Sequence, residues 1–255
     1  MRVGSKWILA GEHSVTRGAP AIAFPSNDYY MRIKDESAES LIIDENPTLG
    51  PIIEEYIGRK IRSRLSFEST IPVGAGFGSS AALSVLIAKW TKDRKLCTDD
   101  LLLALHIEDS LHGKSSGIDV LAIYHDKPIH YLGTGIYEFV EMNWTPDIRI
   151  YTTPSEKTTK ESVQAVKAYI EKNGDESDTR MSQAVKLCES GLKMHSVESL
   201  KEGMQLADSC FVDWGLYTDA MKATKERLLA EGAIAVKPTG AGNGGGMIAL
   251  FPDDP

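Results

Sequence analysis

Apolar residues recur along the chain at two main spacings, and these predict its elements. Residues 2–9 and 19–34 read as strands flanking a turn around Arg17 and Gly18, and residues 41–44 as a further short strand. Leu49, Ile52, Ile53, Tyr56, Ile57 and Ile61 share one helical face, which predicts an amphipathic helix over residues 47–62. Alternation predicts a strand over 65–71. The nearly unbroken apolar run over 79–90 predicts a buried helix. A helix follows from Thr98 to His112, with Asp99 and Asp100 in its first turn and Gly113 as its stop.

Residues 118–124, 129–132, 136–142 and 148–153 read as a strand-rich middle. The second half changes character, with helical patterns over 157–172, 179–195, 197–211 and 217–231. The stretch AIAVKPTGAGNGGGMIALF then gives strand, glycine-rich loop, strand. The polar, proline-containing link at 143–147 is the expected domain boundary.

With 255 residues, the chain is long enough for one large domain or two modest ones sharing a core. A net charge of −8 argues against nucleic acid or an anionic membrane as a main partner, so any anion site is local. Cys97, Cys188 and Cys210 are far apart and form neither a C-x-x-C pair nor a disulfide framework. The N-terminus does not read as a signal peptide, and no run of about 18 apolar residues predicts a membrane span. The expected location is the cytoplasm.

Four stretches could carry chemistry. In IPVGAGFGSSAALSVLIAKW a strand runs into Gly74, Gly76 and Gly78, and a helix opens at Ser79 and Ser80. Glycines let backbone amides approach a ligand, and a helix N-terminus offers unpaired N–H groups, so the loop suits an anion such as phosphate. A tight turn with a serine cap would look the same. In IEDSLHGKSSGIDV, Glu108 and His112 share a helix face and Asp119 follows the turn. Two carboxylates near phosphate can divide metal binding from hydroxyl activation, although a surface Glu and a loop Asp fit the spacing equally. The G-x-S-x-G at residues 113–117, with Ser115 central, follows a helix rather than the strand that a serine hydrolase elbow needs. Lys6 stands in an apolar strand, either as a charge-stabilising cation or as an edge lysine, with Glu12 and His13 at its turn. KPTGAGNGGG holds five glycines within seven residues, which implies close approach of its backbone to a ligand or another strand.

Together and in this order, KWILAGEHSVTRGAPAIA, PVGAGFGSSAA, HGKSSGID and KPTGAGNGGG resemble the motifs of the GHMP superfamily of small-molecule kinases, on its mevalonate branch. The resemblance implies an α+β, two-lobed fold. An N-terminal mixed or antiparallel sheet with helices would occupy 1–145 and bind ATP. A C-terminal ferredoxin-like α/β lobe would occupy 146–255, with the active site in the cleft. It implies ATP-dependent phosphorylation of the primary hydroxyl of mevalonate, with ATP and Mg2+ required. Phosphomevalonate, homoserine or a sugar are the alternative acceptors, and a catalytically silent nucleotide-binding relative is the alternative class. The expected partner is the small-molecule substrate, with no nucleic acid or membrane; a homodimer is possible within the family.

The resemblance also implies roles. Asp119 would take the hydroxyl proton, and Lys6 would stabilise the oxygen. Gly74, Gly76, Gly78, Ser79 and Ser80 would cradle phosphates. Ser80 and Glu108 would hold Mg2+, and Glu12, His13 and Thr159 would face mevalonate. The chain departs from the family pattern at three places. Ser115 replaces a proline, Leu83 stands where an aromatic is frequent in eukaryotic members, and Gly246 replaces a common cysteine, a change read as without consequence.

Overall fold

The computed structural model describes residues 1–113, 115–142 and 144–252. The chain forms two compact units, each assembled from three separate runs. The first comprises Met1–Lys6, Pro25–Ile71 and Gly78–Asp126; the second comprises Trp7–Phe24, Pro72–Phe77 and the chain from Lys127 on. Residue 143, at the edge of the expected boundary, lies outside the described residues.

In the first unit, strand β2 (Ala21–Glu36) enters at Pro25 and pairs antiparallel with β4 (Arg64–Ser69), in register from Met31↔Ser69 to Glu36↔Arg64. The short β3 (Ile42–Ile43) runs parallel to β4. Helix α1 (Leu49–Ile57) is shorter than the pattern predicts, because Gly58 turns left-handed at φ 75 and closes it. Helix α2 (Ser79–Asp93) is buried from Ala81 to Ala88, as its apolar run predicts. Helix α3 (Asp100–His112) is capped by Asp99 rather than opened by Thr98: the Asp99 carboxylate accepts from the Leu102 N–H at 3.0 Å.

The clearest correction falls at residues 118–124, expected to be a strand. They form helix α4 (Ile118–His125), entered through Gly117 at φ 78. A short apolar run carries no period that separates strand from buried helix. Here Ile118, Val120, Leu121, Ala122 and Ile123 are all buried. Asp119 consequently stands in the first turn of a helix.

In the second unit, the first residues of β2 pair antiparallel with β5 (Ile129–Gly133), which pairs in turn with β6 (Ile136–Phe139). The other sheet is antiparallel in the order β7 (Ile148–Thr153), β9 (Gly245–Leu250), β8 (Ala235–Pro238). Its central strand β9 is buried at all six positions. Four helices follow β7 in sequence: α5 (Thr159–Asn173), α6 (Glu176–Met194), α7 (Val197–Asp213) and α8 (Asp219–Ala230). Thr158 and Glu161 start α5 with reciprocal side-chain-to-backbone bonds. Gly203 lets α7 approach α6 closely; a Cβ there would come within 2.6 Å of Cys188 Sγ. All three cysteines are free thiols. Among the described residues, no helix is long and apolar enough to cross a membrane.

Candidate active site

Strand β1 (Arg2–Ala10) carries Lys6 into the interior of the first unit, where the side chain is only 2% exposed. A buried ammonium needs a counter-charge. Asp119 supplies it, with Oδ2 2.9 Å from Lys6 Nζ. The other carboxylate oxygen, Oδ1, is buried and has no hydrogen-bond donor among the described residues. Such an acceptor is costly to leave unpaired, and a hydroxyl group brought beside it would relieve that cost.

The start of α2 packs on the same lysine. Gly78 is its N-cap, at φ 76, and no side chain caps the helix. A Cβ on Gly78 would lie 2.8 Å from Lys6 Cγ and 3.2 Å from Ile123 Cδ1. Only glycine allows both the left-handed turn and this approach. The amino end of α2, the Lys6 cation and the Asp119 acid therefore lie together.

In the first turn of α2, Ser80 Oγ donates to Glu108 Oε1 at 2.9 Å, and one turn further Ser84 Oγ donates to Oε2 at 3.0 Å. His112 Nε2 stands 3.5 Å from Oε1, on the helix face that the four-residue spacing predicts. Glu108 is 5% exposed. Burial raises its carboxyl above the ordinary range; His112 opposes this, the Asp119 charge adds to it, and the two serine hydroxyls lower it. A buried carboxylate whose ionisation is penalised, beside a serine hydroxyl, forms a pair of hard oxygen donors that fits Mg2+. The sequence signal for Ser84, absent from the four motifs, is its place one turn after Ser80 on an otherwise apolar helix.

The rest of the glycine-rich loop, residues 72–77, belongs to the second unit and packs against the loop that follows β8. A Cβ on Gly240 would come within 2.5 Å of the Gly76 Cα. The Gly246 N–H donates to the Ala75 carbonyl at 2.7 Å. The glycine density of KPTGAGNGGG thus serves, in part, the approach of one glycine loop to another. Gly74 is exposed, with nothing within 4 Å of the position a Cβ would take. Gly246 is closely packed: a Cβ there would lie 2.7 Å from Phe77 Cζ, so the glycine suits its surroundings.

Glu12 and His13 follow β1 in the second unit. Glu12 is 1% exposed and its Oε1 accepts from Lys237 Nζ, itself fully buried. Lys237 obeys the rule that marks Lys6, a lysine inside an apolar strand, but the glycine-rich motif around it masks the signal. His13 turns the chain at φ 58, rare for a residue with a side chain. Its Nε2 lies 3.0 Å from the Ala241 carbonyl, an acceptor only, so Nε2 carries the proton. Burial pushes this imidazole down to about 4, against the raising effect of that carbonyl bond. Thr159 is exposed, at the first position of α5.

The G-x-S-x-G stretch includes Lys114, outside the described residues. Helices precede and follow it, and the Ser115 hydroxyl and N–H both donate to Asp109 Oδ1, at 2.7 and 2.8 Å. A proline at 115 could make neither bond.

Two family models match the chain. That of the GHMP kinases N terminal domain covers residues 49–127, and that of the GHMP kinases C terminal covers 186–255, between them more than half of the sequence. The chain belongs to the GHMP kinases. This GHMP kinase is 27% identical to the mevalonate kinase of Pyrococcus abyssi, over 97% of its own length and 87% of that protein. Its fold matches that of L. major mevalonate kinase in complex with R-mevalonate, with a TM-score of 0.82 at 18% identity, covering 99% and 87% of the two chains. It also matches the Streptococcus pneumoniae phosphomevalonate kinase in complex with phosphomevalonate and AMPPNP, with a TM-score of 0.79 at 19% identity, covering 100% and 92%. At these identities the structural likenesses bear on the fold, which the GHMP kinases share across substrates.

Proposed function

We propose that this GHMP kinase transfers the γ-phosphoryl group of ATP to the primary hydroxyl of mevalonate, giving 5-phosphomevalonate and ADP. The observation that carries the reading is the pair of Lys6 with Asp119 at the uncapped start of α2. In the reaction the substrate oxygen bonds to the γ-phosphorus, the bridging P–O bond to ADP breaks, and the hydroxyl proton passes to Asp119. The unpaired Oδ1 suits that acceptance. Lys6, paired with Asp119 at 2.9 Å, offers a cation to the developing alkoxide. The open amides at the start of α2, with Ser79 and the loop glycines Gly74, Gly76 and Gly78, are proposed to bind the phosphates.

Ser80 and Glu108 are proposed to hold Mg2+, which when bound would neutralise phosphate charge. Glu12, His13 and Thr159 are assigned to the acceptor side. The turn at His13 and the Glu12–Lys237 pair would keep the first two rigid. Likeness along nearly the whole chain to a mevalonate kinase favours mevalonate over other acceptors. A cytoplasmic location and a homodimer complete the proposal, to be measured by cell fractionation and by sedimentation.

The test is ADP release coupled to a reporter, run over mevalonate, phosphomevalonate, homoserine and galactose. Turnover of mevalonate well above the others is expected. Preferred turnover of phosphomevalonate or a sugar would reassign the acceptor. Nucleotide binding without turnover of any of them would make the chain a silent relative.

A further inference from the structure

His130 and Glu138 sit opposite each other as register partners across the β5–β6 hairpin. Such cross-strand partners present their side chains to one side of the sheet. Glu189, on α6, reaches the same spot. His130 Nδ1 lies 3.4 Å from Glu138 Oε1 and 3.2 Å from Glu189 Oε1, and one donor atom from each residue falls within 4.8 Å of the others. His130 is 6% exposed. Its Nδ1 is buried and makes no aligned hydrogen bond among the described residues, although two carboxylates flank it.

A ring nitrogen between two carboxylates, yet aligned with neither, suits an atom lying between all three. Tetrahedral bonds of about 2.0–2.2 Å to nitrogen and oxygen separate the ligand atoms by about 3.4 Å. The two distances from the imidazole nitrogen, 3.4 and 3.2 Å, fall close to that separation. We propose that His130, Glu138 and Glu189 bind one divalent transition-metal ion of the zinc class, clipping the β5–β6 hairpin to α6. One imidazole and two carboxylates are a borderline donor set that suits zinc better than magnesium or calcium. Water would fill a fourth position.

Two neighbours bear on the site. Lys193 Nζ is 2.7 Å from Glu189 Oε1 and is the resident competitor; the lysine is 47% exposed, so its arm has room to leave. Trp144 fastens the chain beyond the hairpin to the end of α6, donating to the Leu192 carbonyl at 2.8 Å and stacking on His195 at 4.2 Å. The clip would extend an attachment that already exists.

The test is equilibrium dialysis against zinc chloride, with bound metal counted by mass spectrometry. It compares the wild-type chain, His130→Ala, Glu138→Gln and the Ser80→Ala/Glu108→Gln double variant. The wild type is expected to retain one zinc per chain, as is the double variant. His130→Ala should retain none, and Glu138→Gln should bind at least about tenfold more weakly, the least that loss of even an outer-shell partner costs. Glu138 is half exposed, so Glu138→Gln remains decisive if the buried His130→Ala fails to fold. Substituted Co2+ should show the visible spectrum of nitrogen and oxygen ligation. No retained zinc in the wild type, unchanged binding in Glu138→Gln, or a thiolate-to-cobalt band would each overturn the proposal.

Discussion

Ser84 donates its hydroxyl to Glu108 Oε2 at 3.0 Å, one helical turn beyond Ser80, which holds Oε1 at 2.9 Å. The carboxylate is thus gripped on both oxygens by two serines of a single helix. One of these, Ser80, is a proposed metal ligand; the other positions the carboxylate from behind.

Ser84→Ala should therefore weaken metal binding without touching substrate. Loss of a bond to a buried charged group costs about 1.5 kcal/mol, roughly tenfold in affinity. The expected result is a rise of that size in the Mg2+ concentration for half-maximal rate, with little change in kcat at saturating metal. A titration of rate against Mg2+ at fixed ATP reads it. An unchanged requirement in both Ser84→Ala and Glu108→Gln would remove Glu108 from the metal.

Removing Asp119 should damage folding and chemistry separately. Asp119→Ala strands the buried Lys6 ammonium, at a cost of about 3 kcal/mol or more, and should lower activity by orders of magnitude. The double variant Lys6→Met/Asp119→Ala should recover most of the melting temperature and none of the turnover. Recovery of turnover as well would mean that the pair serves only the fold.

Gly246→Cys should lower stability by about 1–3 kcal/mol, because the new side chain must displace the Phe77 ring and crowd Thr239. Adding Phe77→Leu should return part of the loss. Urea unfolding of the two variants measures both effects, and equal stability of Gly246→Cys and wild type would show that the loop yields.

Acid should weaken the fold through His13. The unfolded imidazole titrates near 6.5 and the buried one near about 4. Between these values the unfolded chain takes up a proton that the folded chain refuses. Stability should thus be unaffected by this group above pH 6.5 and fall on acidification towards pH 4, by on the order of 3 kcal/mol across the window. Comparing denaturation at about pH 7 and about pH 5 in wild type and His13→Asn isolates the effect, since the variant lacks the titrating ring.

Much of the chemistry was legible because it violates local expectation. A lysine inside an apolar strand called for a counter-charge, and four-residue spacing on a helix put Glu108 beside His112. What the sequence could not supply was depth. Apart from Asp119, residues 118–124 are apolar, so they carry no period that tells a strand from a buried helix. Glycine density showed that a backbone approaches something, but not that Gly240 meets Gly76 from far along the chain. Lys237 carried the same signal as Lys6 and was hidden by the motif around it.

Thr239 holds both backbone groups of Ile8, receiving the N–H at 2.8 Å and donating to the carbonyl at 3.1 Å. These partners are separated by 231 residues. During synthesis, the segment around Ile8 must wait for this partner until residue 239 has left the ribosome. Contacts of such sequence separation slow folding and prolong exposure of apolar strands. A nascent chain arrested before residue 239 should still be sensitive to protease around Ile8, and should be the form that chaperones hold.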